Sequence, residues 1–197
     1  MAPMRIILAS SSPRRKQLLA RLGLRFDIIV PAIDESRLPA EDLVEYAQRL
    51  SRQKAAAVLA HINPQPSLII AADTIVEQHG DLLGKPPDAR VAQAMLLRLR
   101  GQAHTVISGF TVRRVGDFPR IITRHARTTV HMRDYSEGEI ATYIASGDPF
   151  DKAGGYAIQN TKFHPVARIE GSYSNVVGLP LEALRRALGE LGLSTAL

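Results

Sequence analysis

The chain has 197 residues, 45% of them hydrophobic and 22% charged, with a formal net charge of +6 and no cysteine. Zero cysteines exclude disulfides, thiolate metal sites and cysteine nucleophiles, and no apolar run approaches the ~18 residues of a membrane span, so no membrane partner is expected. The basic excess is arginine scattered along the whole length, with only 5% aromatic residues to stack on bases, so no nucleic-acid partner is expected either.

The start, Met1-Ala2-Pro3-Met4-Arg5, enters a strand without an apolar signal segment, which predicts a cytoplasmic protein. A strand over 4–9 leads into a helix over 13–22, with Ser12 as N-cap, Pro13 at the first helical position and Gly23 as the stop. A second strand follows over 26–30, closed by Pro31. An amphipathic helix spans 41–60, and the apolar strand Leu68-Ile69-Ile70-Ala71-Ala72 runs on into Asp73-Thr74-Ile75-Val76. Gly80-Asp81 reads as a hairpin turn, and Asp88 caps a helix that reaches Arg100 and stops at Gly101. Thr105–Val115 and Ile121–Met132 read as two strands around a Gly116-Asp117 turn. Ser136 with Glu139 is a capping box for a helix to Ser146, broken by Gly147-Asp148-Pro149. The final helix opens at Pro180 and carries Leu181, Leu184, Leu188 and Leu191 on one stripe. No Pro/Gly/Ser-rich stretch divides the chain, so the expectation is one mixed α/β domain over residues 1–197, with room for two lobes.

Several residues stand where only a ligand or a partner would favour them. Arg14 and Arg15 occupy the first turn of a helix, at the positive end of its dipole, directly after Ser10-Ser11-Ser12. A phosphate held by the serines, the free N–H groups and two guanidinium forks would favour both; the alternative is two side chains extended into solvent. Lys54 falls within the apolar face made by Leu43, Ala47, Leu50 and Val58, so it needs an anionic partner or an exit to solvent by snorkelling. Asp73 ends the most hydrophobic strand, where α/β folds place their ligands. There it can hold a divalent cation or act as a base toward water; the alternative is a turn or capping aspartate. Asp34-Glu35, after the second strand, can add oxygen ligands of the kind Mg²⁺ takes beside substrate phosphates.

Gly80 to Lys85 is not a P-loop, because the glycine spacing is short and Pro86 stands where Ser or Thr would bind Mg²⁺. Lys85 is a further cation after a hairpin, or simply an exposed one. The run Asp148 to Gln159 combines charges, two glycines that permit close backbone approach, and an amide able to read a base edge. The histidines lack metal-ligand spacing and receive no role.

Taken together, LASSSPRR (8–15), Lys54, AADTIV (71–76), GKP (84–86), FDKAGGYAIQ (150–159) and GSYSNVVGLPL (171–181) resemble the Maf family of nucleoside triphosphate pyrophosphatases almost end to end. The resemblance implies an α/β fold with a mixed sheet flanked by helices and two lobes around a deep nucleotide cleft. It also implies hydrolysis of the α–β phosphate bond to a nucleoside monophosphate and pyrophosphate, with Mg²⁺ or Mn²⁺, in a homodimer. Carried over by position, Asp73 matches the proton acceptor, and Lys54 and Lys85 match further cleft positions of the catalytic set. Ser10, Arg14, Arg15, Thr74, Asp151, Lys152 and Gln159 match substrate contacts, with Arg14, Thr74 and Gln159 at positions the dTTP/UTP branch uses for specificity. Glu35 with Asp73 is the implied metal pair. After Gln159 that branch runs into a glycine-rich stretch, whereas this chain has Asn160-Thr161-Lys162-Phe163-His164-Pro165. A broader nucleotide range or modified bases therefore stay open.

Two other roles compete with that expectation: a nucleotide-binding regulator of septum formation and cell division, and a basic RNA-binding domain. Asp73 discriminates the first, since a pure binder has no need of a carboxylate that repels phosphate.

Overall fold

Residues 4–62 and 65–195 are described in a computed structural model. Strand β1 (Arg5–Ala9), helix α1 (Pro13–Ala20), β2 (Asp27–Ile28) and α2 (Leu43–Leu59) come first. They are followed by β3 (Ser67–Gln78), β4 (Asp81–Leu83), α3 (Ala89–Leu99), β5 (Ala103–Val115), β6 (Arg120–Met132) and α4 (Glu137–Ala145). Two short 3-10 turns, Asp148–Asp151 and Ala153–Gly155, precede β7 (Val166–Glu170), α5 (Tyr173–Val177) and α6 (Leu181–Glu190). The strands form one mixed sheet in the order β2-β1-β3-β5-β6-β7, with β4 paired to β3. The fold is α/β, and no helix among the described residues is long and apolar enough to cross a membrane.

The chain divides into two compact units. The first takes residues up to Asp73, then Ser108–Ala126, then Gly178 onward; the second takes Thr74–Ile107 and Arg127–Val177. Strands β3, β5 and β6 each run from one unit into the other.

In the first unit β1 and β3 pair in parallel from Arg5↔Ser67 to Ala9↔Ala71. Ile7, Leu8, Ile69 and Ile70 are fully buried, as expected of a parallel pair covered on both faces and read in sequence as an uninterrupted apolar run. Ile7, Ala9, Ile69 and Ala71 pack against Ala55 and Val58 of α2. Burying each of the larger side chains contributes about 1.5–3 kcal/mol. The other contact of α2 is a close one, because a Cβ built on Gly109 of β5 would lie 2.4 Å from the backbone carbon of Ala47. No side chain fits there, so the helix backbone lies directly on the strand. Strand β2 is shorter than the expected 26–30, since it pairs with β1 only at Ile7↔Asp27 and Leu8↔Ile28.

In the second unit β3 and β4 form a hairpin closed at Gln78↔Asp81. Its turn is His79-Gly80, one residue earlier than expected, and both residues have positive φ (54° and 86°), the requirement of the type I′ turn that matches strand twist. Leu96 and Leu99 of α3, Ile140 and Tyr143 of α4, and Val130 and Met132 of β6 share one core with Tyr135, Tyr156 and Phe163. Strand β7 and helix α5 were not anticipated; β7 alternates only weakly and forms by pairing with β6 from Thr129↔Glu170 to Met132↔Val166.

Helix α4 begins with the expected capping box: Ser136 Oγ accepts from Glu139 N, and the Glu139 carboxylate accepts from Ser136 N (2.8 Å) and Arg133 Nη2 (2.7 Å). The Arg133 hydrogen bond, with those from Ser136, pulls the Glu139 pKa down to about 2. The unfolded-state value is roughly 4.3, so this support is complete above that pH and vanishes as the pH falls toward 2. The melting temperature of Glu139→Gln is expected to lie below wild type at neutral pH and to meet it near pH 2; a difference that persists unchanged in acid would contradict the assignment.

Candidate functional site

The parallel β1–β3 ladder ends at Ala9↔Ala71, and the polar residues begin directly beyond it. Ser10 follows β1, and Asp73 stands two residues past the last pair. Asp73 does not end its strand, because β3 continues to Gln78 to pair with β4; it sits instead where the parallel part of the sheet ends. Both side chains are buried, at 4% and 8% exposure.

Lys54 reaches this place from α2 and does not snorkel. Its ammonium lies 2.6 Å from Asp73 Oδ1 and 2.7 Å from Glu35 Oε1, with 7% of the residue exposed. One cation therefore bridges two carboxylates brought from separate segments.

The α1 N-terminus is built as expected. Ser12 caps through Arg15 N, Pro13 opens the helix, and Ser12 N donates to Ser10 Oγ (3.1 Å). Arg15 is not extended into solvent, since its Nε donates to Gly178 O (2.9 Å) and its Nη1 to Ser10 Oγ (3.4 Å). Loss of water lowers the Arg15 pKa; the Asp73 carboxylate opposes this, Arg14 adds to it, and Glu35 opposes it again. These charges thus act on one another within the first unit. Arginine keeps its proton across the physiological range regardless, so the Arg15 guanidinium stays charged. Arg14 is half-buried beside it.

The segment that carries Glu35 is tied down by two residues that sequence reading missed. Tyr46 Oη donates to Glu35 O (2.6 Å). Burial raises the Tyr46 pKa, and the Asp73 and Glu35 carboxylates raise it further. Arg49 grips Glu41 with Nε–Oε1 at 2.6 Å and Nη2–Oε2 at 2.9 Å, donates to Ser36 O at 2.9 Å, and lies over the Tyr46 ring. Tyr46 and Arg49 are three apart on α2, on one face. That spacing was the available signal.

In the second unit the GKP and AGG motifs lock together. Gly154 N donates to Gly84 O (3.0 Å), and at Gly154, with φ +72°, a Cβ would stand 3.1 Å from Val76. Gly155 lies against Pro86. The Lys85 side chain is exposed and Thr74 half-buried. Lys152, buried, donates to Asp148 O, to Asp148 Oδ1 (2.9 Å) and to Asp151 Oδ1 (2.6 Å). Asp148 Oδ2 accepts from Tyr143 Oη (2.8 Å) and Asn160 Nδ2 (3.1 Å). Gln159 is exposed.

Among the described residues no three His, Asp or Glu side chains converge into a metal-binding group. Glu35 and Asp73, bridged by Lys54, supply a pair of oxygen donors. Mg²⁺ commonly takes one or two carboxylates and completes its shell with substrate phosphates and water, so the pair suits a cation that arrives with a nucleotide.

The chain matches the family described as Maf-like protein over residues 5–191. It is 44% identical over 191 residues to the dTTP/UTP pyrophosphatase of Chromobacterium violaceum, covering 95% of each chain. It is 45% identical over 188 residues to the dTTP/UTP pyrophosphatase of Geotalea uraniireducens, covering 92% of this chain and 94% of that one. Among solved structures, a HAM1 protein from Coxiella burnetii is a distant likeness, with 14% identity, a TM-score of 0.49, and coverage of 95% of this chain and 100% of that one. With the family match running through both units and relatives above 40% identity across nearly the whole length, the chain belongs to the Maf family.

Proposed function

We propose that this protein hydrolyses nucleoside triphosphates at the α–β anhydride, releasing a nucleoside monophosphate and pyrophosphate, with dTTP and UTP as preferred substrates. The observation that carries the reading is the Lys54 ammonium held between Glu35 and Asp73, in the same unit as Ser10, Arg14 and Arg15. Anhydride cleavage builds negative charge on phosphoryl oxygens, and fixed cations with oriented N–H groups stabilise that charge. A binder alone would gain nothing from two carboxylates beside its phosphate contacts, which disfavours the septum-regulator alternative.

Each residue then has a task. Ser10, Arg14 and Arg15 hold phosphoryl oxygens. Asp73 takes the proton of the water that adds across the anhydride, and Lys54 keeps the Asp73 and Glu35 carboxylates in place. Glu35 and Asp73 would hold Mg²⁺ or Mn²⁺, which when bound neutralises phosphate charge and lowers the pKa of water. In the second unit Lys85 offsets phosphate charge. Thr74, Asp151 and Gln159 form the substrate contacts, with the Gln159 amide reading the pyrimidine edge because it can both donate and accept, while Lys152 holds Asp148 and Asp151 in place. A cytoplasmic homodimer accords with this housekeeping role.

The test is pyrophosphate release from dTTP, UTP, dCTP, CTP, ATP, GTP and base-modified nucleotides with Mg²⁺ or Mn²⁺. Monophosphate and pyrophosphate are expected in equal amounts, fastest from dTTP and UTP. Inorganic phosphate in place of pyrophosphate, or no product from any nucleotide, would overturn the reading.

A further inference from the structure

The three N–H donors of Lys152 have three protein acceptors: Asp148 O, Asp148 Oδ1 and Asp151 Oδ1. An ammonium has no fourth donor. Lys152 thus serves as the counter-charge of Asp148, one oxygen of which it holds, while the other oxygen serves a different purpose.

Asp148 Oδ2 accepts from Asn160 Nδ2 and from Tyr143 Oη. Burial raises the Tyr143 pKa and its hydrogen bond to Asp148 raises it further, while the nearby Ala157 backbone opposes both. Ala157 and Asn160 are the two ends of one turn, closed by Asn160 N donating to Ala157 O (3.1 Å). The Asn160 end of that turn therefore hangs directly from a carboxylate oxygen, and the Ala157 end adjoins the tyrosine hydroxyl that the same oxygen holds. Its two central residues are Ile158, packed against the second unit's core, and Gln159, exposed. Asn160 Oδ1 also accepts from Lys162 N (3.1 Å) and Phe163 N (2.8 Å), so the segment after Gln159 is held without the flexibility that glycines would bring.

We infer that Asp148 is a positioning residue for base selection: with Tyr143 and Asn160 as its two arms and Lys152 as its counter-charge, it fixes the turn that presents the Gln159 amide. The inference rests on the proposed role of Gln159 as the base contact. An amide reads a base edge only if donor and acceptor stay within a few tenths of an ångström of their places, so a slack turn loses selectivity before it loses turnover.

The experiment measures kcat and KM for UTP and CTP in wild type, Gln159→Ala, Tyr143→Phe, Asn160→Ala and Asp148→Asn. Tyr143→Phe removes only the hydroxyl and keeps the ring that stacks on Phe163 at 4.4 Å. The preference for UTP over CTP is expected to fall about tenfold in each arm variant, the size of one lost hydrogen bond, through a raised KM for UTP at nearly constant kcat. The double variant Tyr143→Phe/Asn160→Ala should resemble Asp148→Asn. A general loosening of the fold would lower kcat for both nucleotides and leave their ratio alone, which would overturn the inference. If Gln159→Ala keeps the wild-type ratio, the base contact itself is misassigned and the inference falls with it. If Gln159→Ala loses selectivity while Tyr143→Phe and Asn160→Ala retain it, the base contact stands and Asp148 has no part in it. Should Asp148→Asn fail to fold, the two arm variants decide.

Discussion

Asp73→Asn is expected to lower kcat for pyrophosphate release by ~10²–10⁴-fold, the usual contribution of a positioned general base. The carboxamide keeps the shape of the side chain and can still accept from Lys54, so the geometry survives while the capacity to take a proton is lost. The loss of one of the two carboxylates proposed to hold the metal is expected to raise the Mg²⁺ concentration needed for activity, so kcat is compared with the metal saturating. Lys54 retains Glu35 at 2.7 Å as a partner, which limits the loss of stability. Steady-state kinetics with dTTP, together with a melting curve, check this. Full kcat in a folded Asp73→Asn protein would remove Asp73 from the chemistry.

The second large effect is on stability. Lys54→Met is expected to destabilise the protein by up to ~3–5 kcal/mol, the scale for removing one partner of a buried ion pair. Methionine matches the length and apolar stem of lysine, so the packing of α2 has no cause to suffer. What is lost is the cation between Asp73, which is 8% exposed, and Glu35. The penalty lies in the two carboxylates left facing one another, so adding Asp73→Asn and Glu35→Gln to Lys54→Met should recover most of it. Denaturant titration of the single and triple variants measures the difference. Equal stability of wild type and Lys54→Met would mean that the bridge contributes nothing; a triple variant as unstable as the single one would mean that packing carries the effect.

What the sequence made legible was local. The Ser12-Pro13 start of α1 and the Ser136/Glu139 capping box are signals contained within four residues, and both stand as expected. The α2 stripe was legible for the same reason, including the inward direction of Lys54. Its partners were not, because Glu35 and Asp73 each lie 19 residues away along the chain, one on a segment held by Tyr46 and Arg49 and the other on β3. Tyr46 and Arg49 escaped notice for a related reason: each acts on a backbone oxygen of another segment, Glu35 O and Ser36 O, and backbone carries no sequence signature. β7, with one buried residue in five, exists through its pairing with β6 rather than through any pattern of its own. The fold class could thus be read in advance, whereas the bonds between distant segments could not.

The contact between Gly109 and Ala47 has a consequence for how this protein tolerates change. Lys54 lies seven residues, two helical turns, beyond Ala47, so the bare backbone of one strand residue sets the depth at which the whole of α2 rests. Position 109 touches no ion and needs no charge, yet any substituent there would lift the helix and draw the ammonium away from both carboxylates. The Lys54 bridge is thereby made sensitive to a residue whose only contribution is to occupy no space.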